Sequence, residues 1–240
     1  MTKITNILRF DQNGPNGLEE WEQMDYDSLV SGQPVQHGHL YHEISKQGYM
    51  VGIWDCTAFT DQMMPYTVDE YMFFLEGELT MLLPNGTEIE IKAGDAFIIP
   101  KGFECQWKQT GFVRKIFMIL DGEVPNAGNA SLKRITVPNL SQPDSVDVTM
   151  LRRDFLNAAG NMCVEVQGHG GVVQMGRTSG ANELITILEG SLQLYDGEKA
   201  HVFNAGDTAY LLQDDVVDWK TNAGTRLIVA SYTSPDQAQR

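Results

Sequence analysis

From Gly48 onward, the chain alternates short apolar runs with residues that favour turns. The runs include MVGIWDCTAF, DEYMFFL, ELTMLL, EIEIKA and AFIIP, and each has the length of a β-strand. Asn85-Gly86 between two of these runs is a strong hairpin signal, and Tyr195-Asp-Gly197 takes the same place in the second half. Many short strands with regular turns predict an all-β sandwich or barrel.

Residues 1–47 lack this regularity and are mostly polar. A short helix is an option through Leu18-Glu-Glu-Trp21. We expect this segment to form an N-terminal arm laid over a domain, with Trp21 and Leu29 as its apolar anchors.

The second half of the chain repeats the first. Glu70-Tyr-Met-Phe-Phe-Leu-Glu-Gly77 returns as Glu183-Leu-Ile-Thr-Ile-Leu-Glu-Gly190, 113 residues later. The positions Gly94, Trp107 and Arg114 return 112 residues later as Gly206, Trp219 and Arg226. This duplication predicts a first barrel over residues 48–121 and a second over 155–235. Residues 122–154 read as a linker and second arm, with a strand at ITVPNL (135–140).

The composition argues against some classes of binding partner. The formal net charge of −15 argues against nucleic acid and against anionic lipid, because both require clustered Lys and Arg. The three cysteines leave one unpaired in any disulfide scheme and show no metal-type spacing. With no apolar run typical of a signal peptide or a membrane span, we expect a soluble cytoplasmic protein.

The repeated motifs also carry a resemblance. Glu-x6-Gly, then Gly-Asp, then Pro100-Lys-Gly102 in the first half, resembles the two motifs of the cupin superfamily. GIWDCT (52–57), DEYMFFLEG (69–77) and GDAFIIPKGFECQWKQTGFVRK (94–115) are similar to a branch that contains ureidoglycine aminohydrolase and many members of unknown function. The resemblance covers residues 48–121 and, more loosely, 160–232. It implies an all-β chain of two tandem cupin jelly-roll β-barrels, a bicupin.

The resemblance implies a metal pattern that this chain largely lacks. The family uses a His-x-His pair, a Glu three or four residues later, and a third His. In the first half these positions are Met64 and Tyr66 (or Met63 and Pro65), Glu70 and Cys105. In the second half they are Arg177 and Ser179 (or Gly176 and Thr178), Glu183 and Val217. We therefore expect no usual cupin metal, and interpret Glu183 as standing alone.

Three histidines lie close together in His37-Gly-His39-Leu-Tyr-His42. In an extended strand, His37 and His39 would share one face and His42 would lie on the other. If a divalent transition metal binds in the first barrel, its ligands would be Glu70 and Cys105, with His37 or His39. A polar strand pairing at a sheet edge is the simpler interpretation, because no carboxylate of matching parity is evident.

Strand parity predicts a pocket in the first barrel. We expect Glu70 to point inward, together with the side chains two and four residues further along its strand. The predicted set has Glu70 as the acid–base residue and a pocket for a small polar metabolite formed by Trp54, Tyr66, Met72, Cys105, Trp107 and Gln109. For the tryptophans and for the thiol of Cys105, packing in the core without a functional role is the competing interpretation.

The same parity makes the outer face of the 70–77 strand apolar. We expect the other domain or a partner subunit to cover it, which favours a homodimer. Three functions stay open: a metal-independent binding or lyase-like site, a metal-dependent enzyme of the ureidoglycine aminohydrolase kind, and a non-catalytic sensor or partner-binding bicupin.

Overall fold

The computed structural model describes residues 7–122, 133–135, 150–197 and 199–235. Antiparallel strands dominate it, and two short 3-10 turns lie at Tyr26–Ser28 and Ser45–Gln47. The chain divides into two compact units, one of residues 11–136 and one that joins residues 1–10 to 137–240. The predicted all-β architecture is confirmed.

The strands, in chain order, are β1 (Leu8–Arg9), β2 (Glu19–Glu20), β3 (Leu29–Gly32), β4 (Gln36–Ile44), β5 (Tyr49–Cys56), β6 (Phe59–Asp61), β7 (Met64–Pro65), β8 (Asp69–Glu76), β9 (Glu78–Leu82), β10 (Glu88–Lys92), β11 (Ala96–Ile99), β12 (Glu104–Gln109), β13 (Val113–Leu120), β14 (Lys133–Ile135), β15 (Met150–Leu156), β16 (Met162–Gly170), β17 (Val173–Thr178), β18 (Asn182–Glu189), β19 (Ser191–Tyr195), β20 (Ala200–Asn204), β21 (Thr208–Leu211), β22 (Val216–Thr221) and β23 (Ala223–Tyr232).

The first barrel consists of two sheets. One has the order β14-β11-β8-β13-β5-β4-β2, and the other has the order β10-β9-β12-β6-β3, with β7 paired to β12. Alternate side chains of these strands meet inside, where Met72, Phe74, Met81, Phe97, Trp107 and Phe117 form the core. Each such side chain contributes about 1.5–3 kcal/mol by leaving water.

The second barrel has the same plan. Its larger sheet has the order β1-β21-β18-β23-β16-β15, and its smaller sheet has the order β17-β22-β19-β20. Its core is formed by the apolar side chains Ile185, Ile187, Leu192, Leu194, Phe203, Leu211, Trp219 and Leu227. The repeat read from the sequence therefore corresponds to two barrels with matching strands.

The glycine that ends the repeated motif has a steric role. Gly77 has a φ of +83° and Gly190 has a φ of +74°. A Cβ atom at Gly77 would overlap the carbonyl oxygen of Phe112, and one at Gly190 would overlap Thr225. Both the left-handed backbone and the close approach require glycine at this turn.

The N-terminal arm is shared between the two units. β1 pairs with β21 of the second barrel, whereas β2, β3 and β4 belong to the sheets of the first. Trp21 and Leu29 pack against the first core, as expected of anchors. The helix considered at Leu18–Trp21 is wrong: β2 forms there instead, because the edge of β4 supplies backbone hydrogen-bond partners to Glu19 and Glu20.

A glycine on β4 makes room for the arm. A Cβ atom at Gly38 would overlap the indole of Trp21, so the ring lies directly on the backbone of this strand. The same indole meets the ring of Phe117 edge-on, with centroids 6.2 Å apart. The arm thereby adds an aromatic side chain to the first core.

Only part of the predicted linker and second arm lies among the described residues. β14 pairs with β11 of the first barrel through its backbone. Of the strand predicted at 135–140, only Ile135 is described, as the last residue of β14, and the remainder lies outside the described residues.

On the outer face of β8, Tyr71 and Phe73 are buried in the single chain. The homodimer stays a prediction. In the portions of the chain that the structure describes, no helix is long and apolar enough to cross a bilayer.

Candidate functional site

Glu70 lies inside the first barrel, near the start of β8. It faces Ile99 across one strand pair and Ile119 across the other, and its side chain is almost completely buried. Burying an unpaired carboxylate in this apolar position would cost free energy, so the charge of Glu70 requires a partner.

That partner is Lys115 on β13. Its Nζ lies 2.8 Å from Oε1 of Glu70, and both side chains are less than one tenth exposed. Lys115 shares the inward face of its strand with Val113 and Phe117, and it lies opposite Trp54 of β5. The ion pair therefore lies within the core, where a low dielectric strengthens the attraction and raises the cost of losing either charge.

Two indoles hold the ammonium group from the sides. Nζ of Lys115 is 4.7 Å from the ring centre of Trp54 and 4.8 Å from that of Trp107. The two indoles meet edge to face at 6.3 Å, so their faces enclose the cation. Cation–π attraction of this kind is strongest with tryptophan and at desolvated sites.

Tyr66 completes the constellation. Its hydroxyl donates a hydrogen bond to Oε2 of Glu70, the carboxylate oxygen that Lys115 does not use. Burial raises the pKa of the Tyr66 phenol well above its ordinary value, and the neighbouring Glu70 carboxylate raises it further. The phenol therefore keeps its proton and acts as a donor at neutral pH.

A cavity of about 300 Å³ opens over this group. Its lining consists of Met24, Asp25, Ser28, Leu29, Trp54, Phe59, Asp61, Tyr66, Trp107 and Lys115. The buried Lys115 forms the cationic floor, Asp61 lies at intermediate depth, and Asp25 lies at the exposed rim. The volume lies at the lower end of the range for small-molecule sites.

Three of the predicted pocket residues line this cavity: Trp54, Tyr66 and Trp107. Glu70 lies behind Tyr66 and Lys115 rather than in the wall itself. The structure therefore brings Glu70 into contact with the cavity only through the hydroxyl and the ammonium group that it holds.

The other three lie away from the wall. Met72 lies behind Lys115, with its Sδ 3.2 Å from Nζ. Gln109 accepts a hydrogen bond from Nε1 of Trp107 and donates to the carbonyl of Cys56, so its amide fixes the indole. Cys105 is buried, and burial raises the pKa of its thiol to about 12, which disfavours a thiolate nucleophile.

The sequence did not predict Lys115, Asp61, Phe59 or the arm residues as part of the lining. A signal for Lys115 existed: in VRKIFMIL it is the one charged side chain in register with Val113 and Phe117. Nothing in the local sequence marks Asp61 as a lining residue, and Leu29 is predicted only as an anchor of the arm, because only the folded arm brings Met24 and Leu29 to this opening. Burial raises the pKa of Asp61 above its ordinary value, although the hydrogen bond from the Gln62 amide opposes the shift.

The residues around Glu70 do not fit a divalent cation. An ammonium group already holds one carboxylate oxygen and a phenol holds the other. The thiol of Cys105 has a raised pKa, whereas a metal ligand must lose its proton. Across the residues that the structure describes, no three His, Cys, Asp or Glu side chains are grouped so as to hold a metal ion.

The histidines of β4 do not join this site. His37 and His39 lie opposite Asp55 and Ile53, on the face of the sheet that points away from Trp54. The ligand set of Glu70 and Cys105 with His37 or His39 is therefore wrong, because the sheet separates the imidazoles from the carboxylate.

Both histidines pair with carboxylates, although the sequence indicated no carboxylate on the matching face. Nδ1 of His37 is 3.0 Å from Asp55, and Nδ1 of His39 is 2.9 Å from Glu19 of the arm. The expected face of His42 is also wrong: a bulge between Leu40 and His42 shifts the alternation, so His42 lies opposite Val51.

In the second barrel, Glu183 does not stand alone. Nη2 of Arg177 is 2.7 Å from Oε1 of Glu183, and the guanidinium lies 4.8 Å from the ring centre of Trp219. Both barrels thus hold a carboxylate, a cation and an indole together. The cation comes from different strands, β13 in the first barrel and β17 in the second, and the repeat counterpart of Lys115 is Leu227.

Solved structures share this fold over nearly the whole chain. A protein of unknown function from Pseudomonas syringae pv. tomato has a TM-score of 0.68 at 17% identity, covering 94% of this chain and 99% of its own. A cupin 2 conserved barrel domain protein from Leptotrichia buccalis has a TM-score of 0.60 at 12% identity, covering 90% and 98%. The protein Ylba from E. coli has a TM-score of 0.56 at 13% identity, covering 97% and 93%.

At these identities the structures establish the fold alone. No curated protein sequence matches this chain significantly. The family model of the EutQ-like cupin domain matches residues 46–117 and 166–227, one segment in each barrel and together more than half of the chain. The chain therefore belongs to the EutQ-like cupin domain family.

Proposed function

We propose that the first barrel binds a small dipolar metabolite without a metal ion. The observation that carries this proposal is the buried ammonium group of Lys115 at the floor of a cavity of about 300 Å³. An ammonium group has three donors; Glu70 accepts from one of them and the sulfur of Met72 from another, which leaves one for a ligand. A carbonyl or carboxylate oxygen of a ligand is the matching acceptor for a donor that faces the cavity.

The rim supports the dipolar character of the ligand. Asp61 and Asp25 place carboxylates between the floor and the solvent. A ligand with an amine or amide N–H at its outer end would complement these acceptors, whereas a simple dianion would meet repulsion there. Trp54, Trp107 and Phe59 supply aromatic surface for the carbon skeleton between the two ends.

The same arrangement suits proton transfer next to a carbonyl group. Lys115 would stabilise negative charge that develops on the bound oxygen. Asp61 is a carboxyl that lines the cavity, and burial raises its pKa above the ordinary value, so it is the candidate group for exchanging a proton with the ligand. Tyr66 would donate to the ligand or hold Glu70, and Glu70 acts through Tyr66 and Lys115 as a positioning residue. A lyase or isomerase reaction without a metal belongs to this class.

A thermal-shift screen tests the binding proposal. The panel contains small amino acids, amides, keto acids and amines, and we expect hits that carry an oxygen acceptor and an N–H donor at opposite ends. Lys115→Met should abolish the shift, and Asp61→Asn should weaken it. Lys101→Met is the matched control, since Lys101 pairs with the exposed Asp121 away from the cavity.

Proton transfer has a separate readout. For each hit, incubation in D2O followed by proton NMR should show exchange of a C–H next to the carbonyl, and Asp61→Asn should slow it. Hits that bind through Lys115 but never exchange would favour a sensor over an enzyme. Hits whose binding ignores both Lys115→Met and Asp61→Asn would contradict the proposed site.

A further inference from the structure

The two indoles of the first-barrel cavity already use their donor hydrogens within the protein. Nε1 of Trp54 donates to Oε1 of Gln36 at 2.8 Å, and Nε1 of Trp107 donates to Oε1 of Gln109 at 3.0 Å. An indole has no second donor and no acceptor. Both rings therefore offer a ligand aromatic surface rather than a hydrogen bond.

The two hydroxyl groups of the lining are used in the same way. Oγ of Ser28 donates to the carbonyl of Asp25 at 2.6 Å, and the phenol of Tyr66 donates to Oε2 of Glu70. A hydroxyl has one hydrogen and two lone pairs, so both oxygens keep the capacity to accept. Among the described side chains that line the cavity, Lys115 is thus the one donor left for a ligand.

This donor and one of the acceptors are neighbours at the floor of the cavity. Nζ of Lys115 lies 2.8 Å from Oε1 of Glu70, and the Tyr66 hydroxyl bonds to Oε2 of the same carboxyl group. The ammonium group and the phenol oxygen are therefore joined through a single carboxylate. A hydrogen bond to a carboxylate also polarises the phenol, which makes its oxygen a better acceptor.

We infer that the ligand carries a carbonyl oxygen with a neutral hydrogen-bond donor beside it, as a 2-hydroxy ketone or a primary amide does. The carbonyl oxygen accepts the remaining donor of Lys115, and the O–H or N–H beside it donates to the phenol oxygen of Tyr66. A protonated amine in that place would bring positive charge against Lys115. This inference rests on the proposed function and adds the chemical group that the floor recognises.

The carboxyl groups above the floor favour the same kind of ligand. Oδ1 of Asp61 accepts from the backbone N–H of Gln62, and Oδ1 of Asp25 accepts from that of Asp27. A carboxylate has about four acceptor sites, so both groups can take further hydrogen bonds. The lining thus favours a ligand rich in donors, and Tyr66 is the residue that selects the group next to the carbonyl.

Four small probes test this inference on the full chain: hydroxyacetone, acetamide, acetone and methoxyacetone. All four have a carbonyl oxygen, the first two have a donor beside it, and in methoxyacetone a methyl group replaces the donor hydrogen. Two-dimensional NMR titrations follow the indole N–H signals of Trp54 and Trp107. We expect hydroxyacetone or acetamide to bind about three- to tenfold more tightly than acetone and methoxyacetone, the effect of one added hydrogen bond. The tighter of the two identifies the donor as a hydroxyl or an amide.

Tyr66→Phe keeps the ring and removes the acceptor oxygen. It should abolish the difference in affinity between the donor probe and acetone. Tyr195→Phe is the matched control, because the hydroxyl of Tyr195 bonds to Gln193 in the second barrel. A difference that persists in Tyr66→Phe would overturn the assignment of Tyr66.

The wild-type comparison of the four probes decides the inference even if Tyr66→Phe does not fold. Equal affinities for all four probes, lost together in Lys115→Met, would overturn the inference and leave the proposed function standing. Shifts that persist in Lys115→Met, or no shift with any probe, would contradict the proposed function itself.

Discussion

Lys115 and Glu70 form an ion pair of 2.8 Å inside the first barrel, although 45 residues separate them in the chain. β8 and β13 are neighbours in the sheet, and both side chains point into the core. The pair lies between the apolar interior and the cavity, and a change in either partner should affect both folding and binding.

Lys115→Met should lower the free energy of unfolding by about 3–5 kcal/mol, because it leaves the Glu70 carboxylate buried and uncompensated. The double change Lys115→Met with Glu70→Gln should recover much of that loss, since the charge is then absent. Urea denaturation at pH 7 measures both values.

The control for this pair is Lys101→Met, whose partner Asp121 is exposed. Its loss should be at most about 1 kcal/mol. An equal loss for Lys115→Met and Lys101→Met would contradict a buried, mutually dependent pair.

Asp61 should make the protein less stable as the pH rises. Burial raises its pKa above the ordinary value of 3.8, so the folded chain binds this proton more tightly than the unfolded chain. The contribution of Asp61 to the free energy of unfolding is complete below the ordinary pKa, and it is lost as the pH rises through the pKa of the folded state. Asp61→Asn keeps the acceptor for the Gln62 amide and removes the titration.

Denaturation of the wild type and Asp61→Asn between pH 4 and pH 7 checks this sign. The variant should gain stability relative to the wild type as the pH rises. A difference that stays constant with pH would show that the carboxyl is not perturbed.

His169 should act in the opposite direction. Burial and the charge of Arg177 lower the pKa of His169 below 6.5, so the folded state favours the neutral imidazole. The contribution of His169 to the free energy of unfolding is therefore complete above pH 6.5 and is lost as the pH falls through the folded pKa. His169→Gln should therefore flatten the fall in stability on acidification below pH 6.5. Thermal denaturation across that range, with wild type in parallel, gives the comparison, and parallel curves would contradict the shift.

Gly38→Ala should loosen the N-terminal arm. A methyl group there overlaps the Trp21 indole, and the ring must move off β4. We expect a loss of about 1–3 kcal/mol, with a red shift of tryptophan fluorescence. Gly111→Ala is the control: a Cβ at that position meets no atom within 4 Å, so the change should stay within about 0.5 kcal/mol.

Metal content is the remaining check on the first barrel. Protein purified without a histidine tag should contain far less than one transition metal per chain, because Lys115 and Tyr66 already hold both oxygens of Glu70. Elemental analysis measures this. A near-stoichiometric metal that disappears in Glu70→Gln would favour the metal-dependent alternative instead.

The sequence alone determined the architecture. Alternating apolar positions, hairpin signals and the repeated Glu-x6-Gly motif are local features, and each has a direct consequence for strands and turns. The same parity placed Glu70, Trp54 and Trp107 toward the interior of the first barrel. A consistent period along a strand specifies which side chains share a face, and so these predictions needed no knowledge of distant contacts.

Only the tertiary structure decided which of those residues meet. The pairing of β8 with β13 brings Lys115 to Glu70, and the bulge in β4 turns His42 to the face of His37. The cavity wall includes Met24 and Asp25 because the arm folds over the barrel. Each of these arrangements depends on which strands are neighbours, on a bulge or on where the arm lies. Packing between segments far apart in the chain decides these features, and they leave no periodic signal in the local sequence.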